Sequence, residues 1–198
     1  MTDSDWKNET KLLQNILAIL KSPDRNSRYR QALKSDTELT EFISDVNAKL
    51  ACQMGMFHFH EYYTIDHVLY RDEDCIPEGE QPLGTSRVKG TWLNRIRVAF
   101  EHENHLDSAG GFQEIAKLIL VNADLKVLMG WEDKTKDYDP FAREYQRIYE
   151  SADPPESAMP ILFIGENLNT RVDGYLITVN GLLKYHTTAG WQAMQNND

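Results

Sequence analysis

The sequence predicts an α/β domain built on one mixed sheet, with a helix ahead of it and a β-hairpin at its end. Three observations carry that expectation. Apolar residues recur at helical spacing in some stretches and at every second position in others. Arg95 to Glu103 sets Ile96, Val98 and Phe100 against Arg95, Arg97, Ala99, Glu101 and Glu103, the period of a half-buried strand. A helical stretch marked by Phe112, Ile115, Leu118 and Ile119 then precedes a second apolar strand, Leu125 to Trp131. Adjacent strands joined through such a helix form a parallel βαβ step, normally right-handed.

The remaining elements follow in order. Leu12, Leu13, Ile16, Leu17 and Leu20 share a helical face, and that helix stops near Ser22-Pro23. Basic residues Arg25, Arg28 and Arg30 come next. Ser35 and Glu38 have the spacing of a capping box, and behind them Leu39, Phe42, Ile43, Val46 and Leu50 line a helix ending near Gly55. Tyr62 to Tyr70 is dense in β-branched and aromatic residues, the composition of a strand. Pro77, Gly79, Pro82 and Gly84 mark a long loop, and Gly110-Gly111 punctuates the chain. A helix with Phe141, Tyr145 and Ile148 follows Asp139-Pro140; Ser151 to Pro160 is a connection. Short strands over Ile161–Ile164, Gly174–Val179 and Leu182–His186 finish the chain, the last two a hairpin through Asn180-Gly181.

Size and charge narrow the function classes. With 198 residues and roughly 150 per domain, one domain is expected. Within it, 1–36 form an N-terminal helical extension, 37–131 the central core, and 132–198 a C-terminal helix and strands. The net charge of −10 disfavours indiscriminate binding to nucleic acid or anionic membrane, while leaving room for a local basic patch. Cys52 and Cys75 are too few for a disulfide scaffold, which makes a reducing cytoplasm the default. The acidic start is unlike a signal peptide. No apolar run approaches the roughly 18 residues of a membrane span.

The chemistry is expected at Asp66, Glu101 and Glu103. Residues two apart on a strand share a face, so Glu101 and Glu103 project together. Asp66 lies between Ile65 and Val68, where a carboxylate is costly unless paired or bound to a cation. On neighbouring strands the three would converge on one point, an oxygen cluster suited to Mg²⁺. A metal there could activate water and offset the charge that develops in phosphodiester cleavage.

An Asp on one strand, then Glu-x-Glu on the next, then a helix and a strand, resembles the PD-(D/E)XK nuclease superfamily, the restriction-endonuclease-like fold. The residues that carry the likeness are Tyr62-Tyr63-Thr64-Ile65-Asp66-His67-Val68 and Val98-Ala99-Phe100-Glu101-His102-Glu103-Asn104. The helix around Glu114 to Leu118 and the strand Leu125-Lys126-Val127-Leu128 complete it. The likeness spans about residues 37–131, an αβββαβ core in that superfamily. It implies DNA cleavage with Mg²⁺ or Mn²⁺, metal ligation by Asp66, Glu101 and Glu103, and, from restriction-type members, a homodimer. Ile65 stands where the motif has Pro, and Glu103 where it has Lys. In some members the following helix supplies the Lys, a role that falls here to Lys117. Two other readings remain open: a catalytically inactive module of the same fold with a binding or regulatory role, and a protein-interaction domain.

Further candidates are weighed against ordinary structural roles. Gly84 to Phe100 contains no acid and carries Arg87, Lys89, Arg95 and Arg97, a candidate phosphate track, with Trp92 able to stack a base. Arg25, Arg28, Arg30 and Lys34 form a weaker one. His58 and His60 are half of a zinc site, with no second pair spaced to complete it, so an aromatic-rich strand edge is favoured. Glu41 and Glu61 are minor candidates for a further carboxylate. Gln113 and Lys117 share a helix face that could look into the site. No Walker, dinucleotide or serine-hydrolase signature occurs.

Overall fold

The structure is a computed structural model that describes residues 8–20, 28, 31–32, 35–77, 92–103, 106, 109–131, 137–166, 172–186 and 188–194. Eight strands form one mixed sheet in sequence order: β1 (Phe57–Tyr62), β2 (Ile65–Tyr70), β3 (Ile96–Glu103), β4 (Ala123–Trp131), β5 (Ile161–Glu166), β6 (Val172–Thr178), β7 (Gly181–His186) and β8 (Gly190–Ala193). Strands β3, β4 and β5 run parallel, and every other neighbouring pair is antiparallel. Each parallel step carries a helix, α3 (Ala109–Leu120) between β3 and β4 and α4 (Asp139–Ser151) between β4 and β5.

Two further helices, α1 (Glu9–Leu20) and α2 (Asp36–Met54), cover the opposite face. Side-chain alternation divides the core accordingly. Val98, Phe100, Leu125 and Val127 pack with α1 and α2, whereas Val68, Ala99, Leu128 and Phe163 pack with α3 and α4. Strand β3 is therefore buried on both faces from Arg97 to Glu101, not half-buried as its alternation suggests. A strand covered by helices on both sides exposes neither set of side chains.

Local chemistry explains the element ends. The Ser35 hydroxyl accepts the Glu38 N–H at 3.1 Å and caps α2, which closes on Gly55 in the left-handed region. The expected single strand from Tyr62 to Tyr70 is instead the turn and second strand of a hairpin, with Tyr62 paired to Ile65. Its turn lacks the usual Gly or Asn, and Tyr63 takes a φ of 56°, a conformation uncommon for a bulky residue. Gly110 and Gly111, expected to interrupt the chain, lie in the first turn of α3. A Cβ on Gly110 would strike the Glu103 carboxylate, and one on Gly111 the Tyr145 hydroxyl.

The C-terminal hairpin turns one residue earlier than expected, pairing Thr178 with Gly181, and is extended by β8. Helix α1 lies over this end of the sheet. Leu13 sits against Gly174 of β6, Gln14 Nε2 donates to the Tyr185 hydroxyl at 3.1 Å, and Trp191 Nε1 donates to the Thr10 hydroxyl at 2.7 Å. No helix among the described residues is long and apolar enough to cross a membrane.

Candidate active site

The β2–β3 pairing sets His67 opposite Phe100 and Val68 opposite Ala99. Carried one residue further, that register sets Asp66 across from Glu101. Both share the face of Val68 and Ala99, the side of α3 and α4. Asp66 Oδ2 accepts the main-chain N–H of His102 at 2.9 Å, which fixes the carboxylate against β3.

Glu101 is fully buried, and its Oε1 accepts no hydrogen bond from the described residues. Its Oε2 faces Lys117 Nζ at 3.5 Å, and Lys117 also pairs with Glu114 at 2.5 Å. Burial, then a hydrogen bond with Glu114 and the Asp66 and Glu114 charges, pushes the Glu101 carboxyl up to about 10 against the pull of Lys117. Without an added cation, Glu101 therefore keeps its proton at neutral pH. Burial also works against the Lys117 ammonium, but Glu114 and Glu101 outweigh it and raise its pKa. Glu101 and Glu114 thus share one ammonium, with the Asp66 charge nearby.

Glu103 projects to the same side one step on, about 6.8 Å along the strand. Its carboxylate rests against Gly110 in the first turn of α3, where a negative charge is favoured by the helix dipole. The three-carboxylate convergence expected from the sequence is thus a pair, Asp66 and Glu101, with Glu103 beyond it. Among the described residues, no group of three or more His, Cys, Asp or Glu is arranged to hold a metal ion. Glu103 also lies near Tyr145, whose hydroxyl is raised first by burial and then by the Glu103 charge.

Lys117 reaches the site as expected, but its helical companion is Glu114 rather than Gln113, which is exposed. Glu114 was missed; its signal was the i, i+3 spacing with Lys117, another route to one helix face. Glu41 and Glu61 are exposed and outside the cluster.

The basic track is only partly described. Arg95 is exposed and bonded to Asp124 at 2.8 Å. Arg97 is engaged inside the fold, its Nε and Nη2 each 2.7 Å from the Asp74 carboxylate in a two-pronged bond. That clamp ties the turn at 72–74 to β3 and leaves Arg97 little room to reach a phosphate. Arg28 pairs with Asp45 at 2.7 Å. Arg87 and Lys89, and likewise Arg25, Arg30 and Lys34, lie outside the described residues.

On the reverse face of the same strands the structure gathers histidines. His58 Nε2 and His67 Nδ1 are 3.0 Å apart, and His60 stacks on His67 with ring centroids 4.9 Å apart. Burial, then the neighbouring imidazoles, lowers His67 to about 3; burial alone lowers His102 to about 4. His67 was the partner sequence spacing could not supply, because it arrives across the β1–β2 hairpin. Cys75 is held as a thiol by burial and by Asp72 and Asp74.

Comparison with protein-family models, with curated proteins and with solved structures finds no match. The site's own geometry therefore carries the functional reading.

Proposed function

We propose that the chain is a divalent-metal-dependent endonuclease that hydrolyses DNA phosphodiester bonds. The observation that carries the reading is Glu101: fully buried, across from Asp66, hydrogen-bonded to Glu114, and sharing with Glu114 the single Lys117 ammonium. A buried site with that excess of acid either retains a proton or takes a cation. The succession α2, β1, β2, β3, α3, β4 supports a restriction-endonuclease-like core, with Lys117 entering from α3 in place of the lysine that Glu103 replaces.

The residues fit Mg²⁺ or Mn²⁺, hard cations that take one or two carboxylates and complete their shell with water and phosphate oxygens. Asp66 and Glu101 would hold the ion. When bound, it supplies an activated water and offsets charge on the phosphate. The chain's own residues do the rest. The His102 N–H holds Asp66 in place. Glu114 keeps Lys117 beside Glu101, where the ammonium stabilises negative charge developing on the phosphate. Glu103, beyond the pair, orients water. A homodimer in the cytoplasm belongs to the same reading.

The test combines Mn²⁺ calorimetry with plasmid cleavage in Mg²⁺ or Mn²⁺. Wild type should bind and cleave, and both Asp66→Ala and Glu101→Ala should lose both properties. Cleavage that survives Glu101→Ala overturns the assignment. Metal binding without cleavage of any DNA would favour the inactive module, the reading that Glu103 in the lysine position motivates.

A further inference from the structure

Beside the carboxylate pair lies a band of aromatic rings that the hydrolytic reading leaves unused. Phe57 and Tyr63 are 54% and 67% exposed. Phe57 stacks on Tyr70 with centroids 5.6 Å apart. Phe59 meets Tyr62 edge-on at 5.5 Å, Tyr62 meets Tyr63 at 5.0 Å, and Tyr63 meets Trp92 at 5.8 Å. Phe59 pairs with Val68, so it shares the face of Asp66. Tyr62 would alternate to the other face, but Glu61 takes a φ of 58° and Tyr62 packs beside Phe59. Helix α2 packs against β1 and β2 from the reverse side, whereas α3 and α4 pack chiefly on β3, β4, β6 and β7.

We infer that this band is a stacking platform for the unpaired bases of single-stranded DNA, laid so that the strand runs onto the Asp66–Glu101 site. The inference rests on the nuclease reading and adds a substrate class to it. Phe59 stands one strand, about 4.8 Å, and one residue pair, about 6.8 Å, from Asp66. A phosphate at the carboxylates therefore leaves its neighbouring bases over the rings. Bases in a duplex are stacked on each other and cannot lie on protein rings, whereas unpaired bases stack with little regard to sequence. The turn also favours display over packing, because Tyr63 stands exposed in a conformation that bulky residues avoid. In a chain of charge −10, ring stacking can supply affinity that phosphate contacts do not, so binding should depend weakly on salt.

The test is fluorescence anisotropy of a labelled oligothymidylate and of a duplex of equal length, with Ca²⁺ in place of Mg²⁺ to suppress cleavage. The proteins are wild type, Tyr63→Asn and Phe57→Ala. Asn accepts the left-handed conformation, so Tyr63→Asn removes the ring without straining the turn, and melting curves verify the fold. The single strand should bind more tightly than the duplex, with a shallow salt slope. Each substitution should weaken it about 5- to 150-fold, the equivalent of about 1–3 kcal/mol per stacked base. Equal affinity for duplex, tighter binding of the matching RNA strand, unchanged binding in both variants, or no binding by wild type each overturns the inference. So does a dimer that both substitutions dissociate without a change in DNA binding, because a second copy would then cover the rings. The two readings fail separately. Strand binding that needs Tyr63 in a protein that never cleaves leaves the platform and removes the nuclease; cleavage with no strand preference does the reverse.

Discussion

Asp66 and His67 are consecutive in β2, Glu101 and His102 in β3, and strand alternation sends the acids to one side of the sheet and the imidazoles to the other. Both faces are buried, and burial suppresses charge on each by opposite means. The acid face keeps a proton on Glu101, and the histidine face keeps protons off His67 and His102. The difference teaches that one sheet segment can carry two opposed pH dependences one residue apart. It also separates the faces chemically: among the described residues, the acid face has Lys117 beside its buried carboxyl group.

The sign of each dependence follows from linkage. Glu101 titrates near 4.5 when unfolded and near 10 when folded without metal. Above pH 4.5 the unfolded chain releases a proton that the folded chain keeps, so this group's contribution declines from there to about pH 10. His67 titrates near 6.5 unfolded and near 3 folded. Below pH 6.5 the unfolded chain takes up a proton that the folded chain refuses, and stability falls toward about pH 3; His102 acts likewise down to about 4. Between pH 4.5 and 6.5 two imidazoles outweigh one carboxyl, so the summed contribution peaks near pH 6.5.

The substitution with the largest expected effect is Glu101→Gln. It mimics the protonated acid, so Mn²⁺ binding and cleavage should vanish in calorimetric and plasmid assays while the melting temperature at pH 8 rises. A lower melting temperature would break the comparison, because Glu101 would then be an ion in the metal-free fold. Next, Lys117→Met should lower kcat by about 100-fold or more, as loss of one charge-stabilising group does, with KM little changed in steady-state assays on a labelled oligonucleotide. His67→Gln should leave cleavage within about twofold, far less than the roughly 100-fold losses seen when catalytic groups are removed. It should flatten the acid limb of a melting series between pH 6.5 and 3, removing a slope of up to about 1.4 kcal/mol per pH unit. The smallest effect belongs to Gly110→Ala. Its Cβ meets the end of the Glu103 side chain, and the cost of displacing that carboxylate is set against a gain in helix propensity of up to about 1 kcal/mol. Chemical denaturation should find near-equal stability, and a cleavage defect in that variant would report what Glu103 does.

Much of this was legible in the sequence where one local rule dominates. Ser35 capping α2, the period of β3, the parallel step through α3 and the C-terminal hairpin all follow from spacing. Strand alternation also puts Asp66 and Glu101 on one face once β2 and β3 pair, whereas Lys117 comes from the resemblance to the nuclease superfamily and not from helix period. What was hidden depends on tertiary approach. The Tyr63 turn carries no Gly or Asn to announce it, because an aromatic residue takes the left-handed conformation there. The glycines of α3 answer to Glu103 and Tyr145 rather than to a chain break. His67 and His102 join His58 only through the sheet, and Arg97 looked like a surface cation until Asp74 was folded against it. Strand β8 was missed because four residues offer too little period to read.

Helix α1 is joined to β8 across 181 positions of chain by the Trp191–Thr10 hydrogen bond, and Leu13 rests on Gly174. On the ribosome, which adds about 5–20 residues per second, the first helix emerges roughly ten seconds or more before the strands that shelter it. Until then its leucine stripe has no native cover from that end of the sheet. Newly made chains should therefore show a late, all-at-once gain of protease resistance once β8 has emerged, and chains halted before Gly174 should be the ones that chaperones retain.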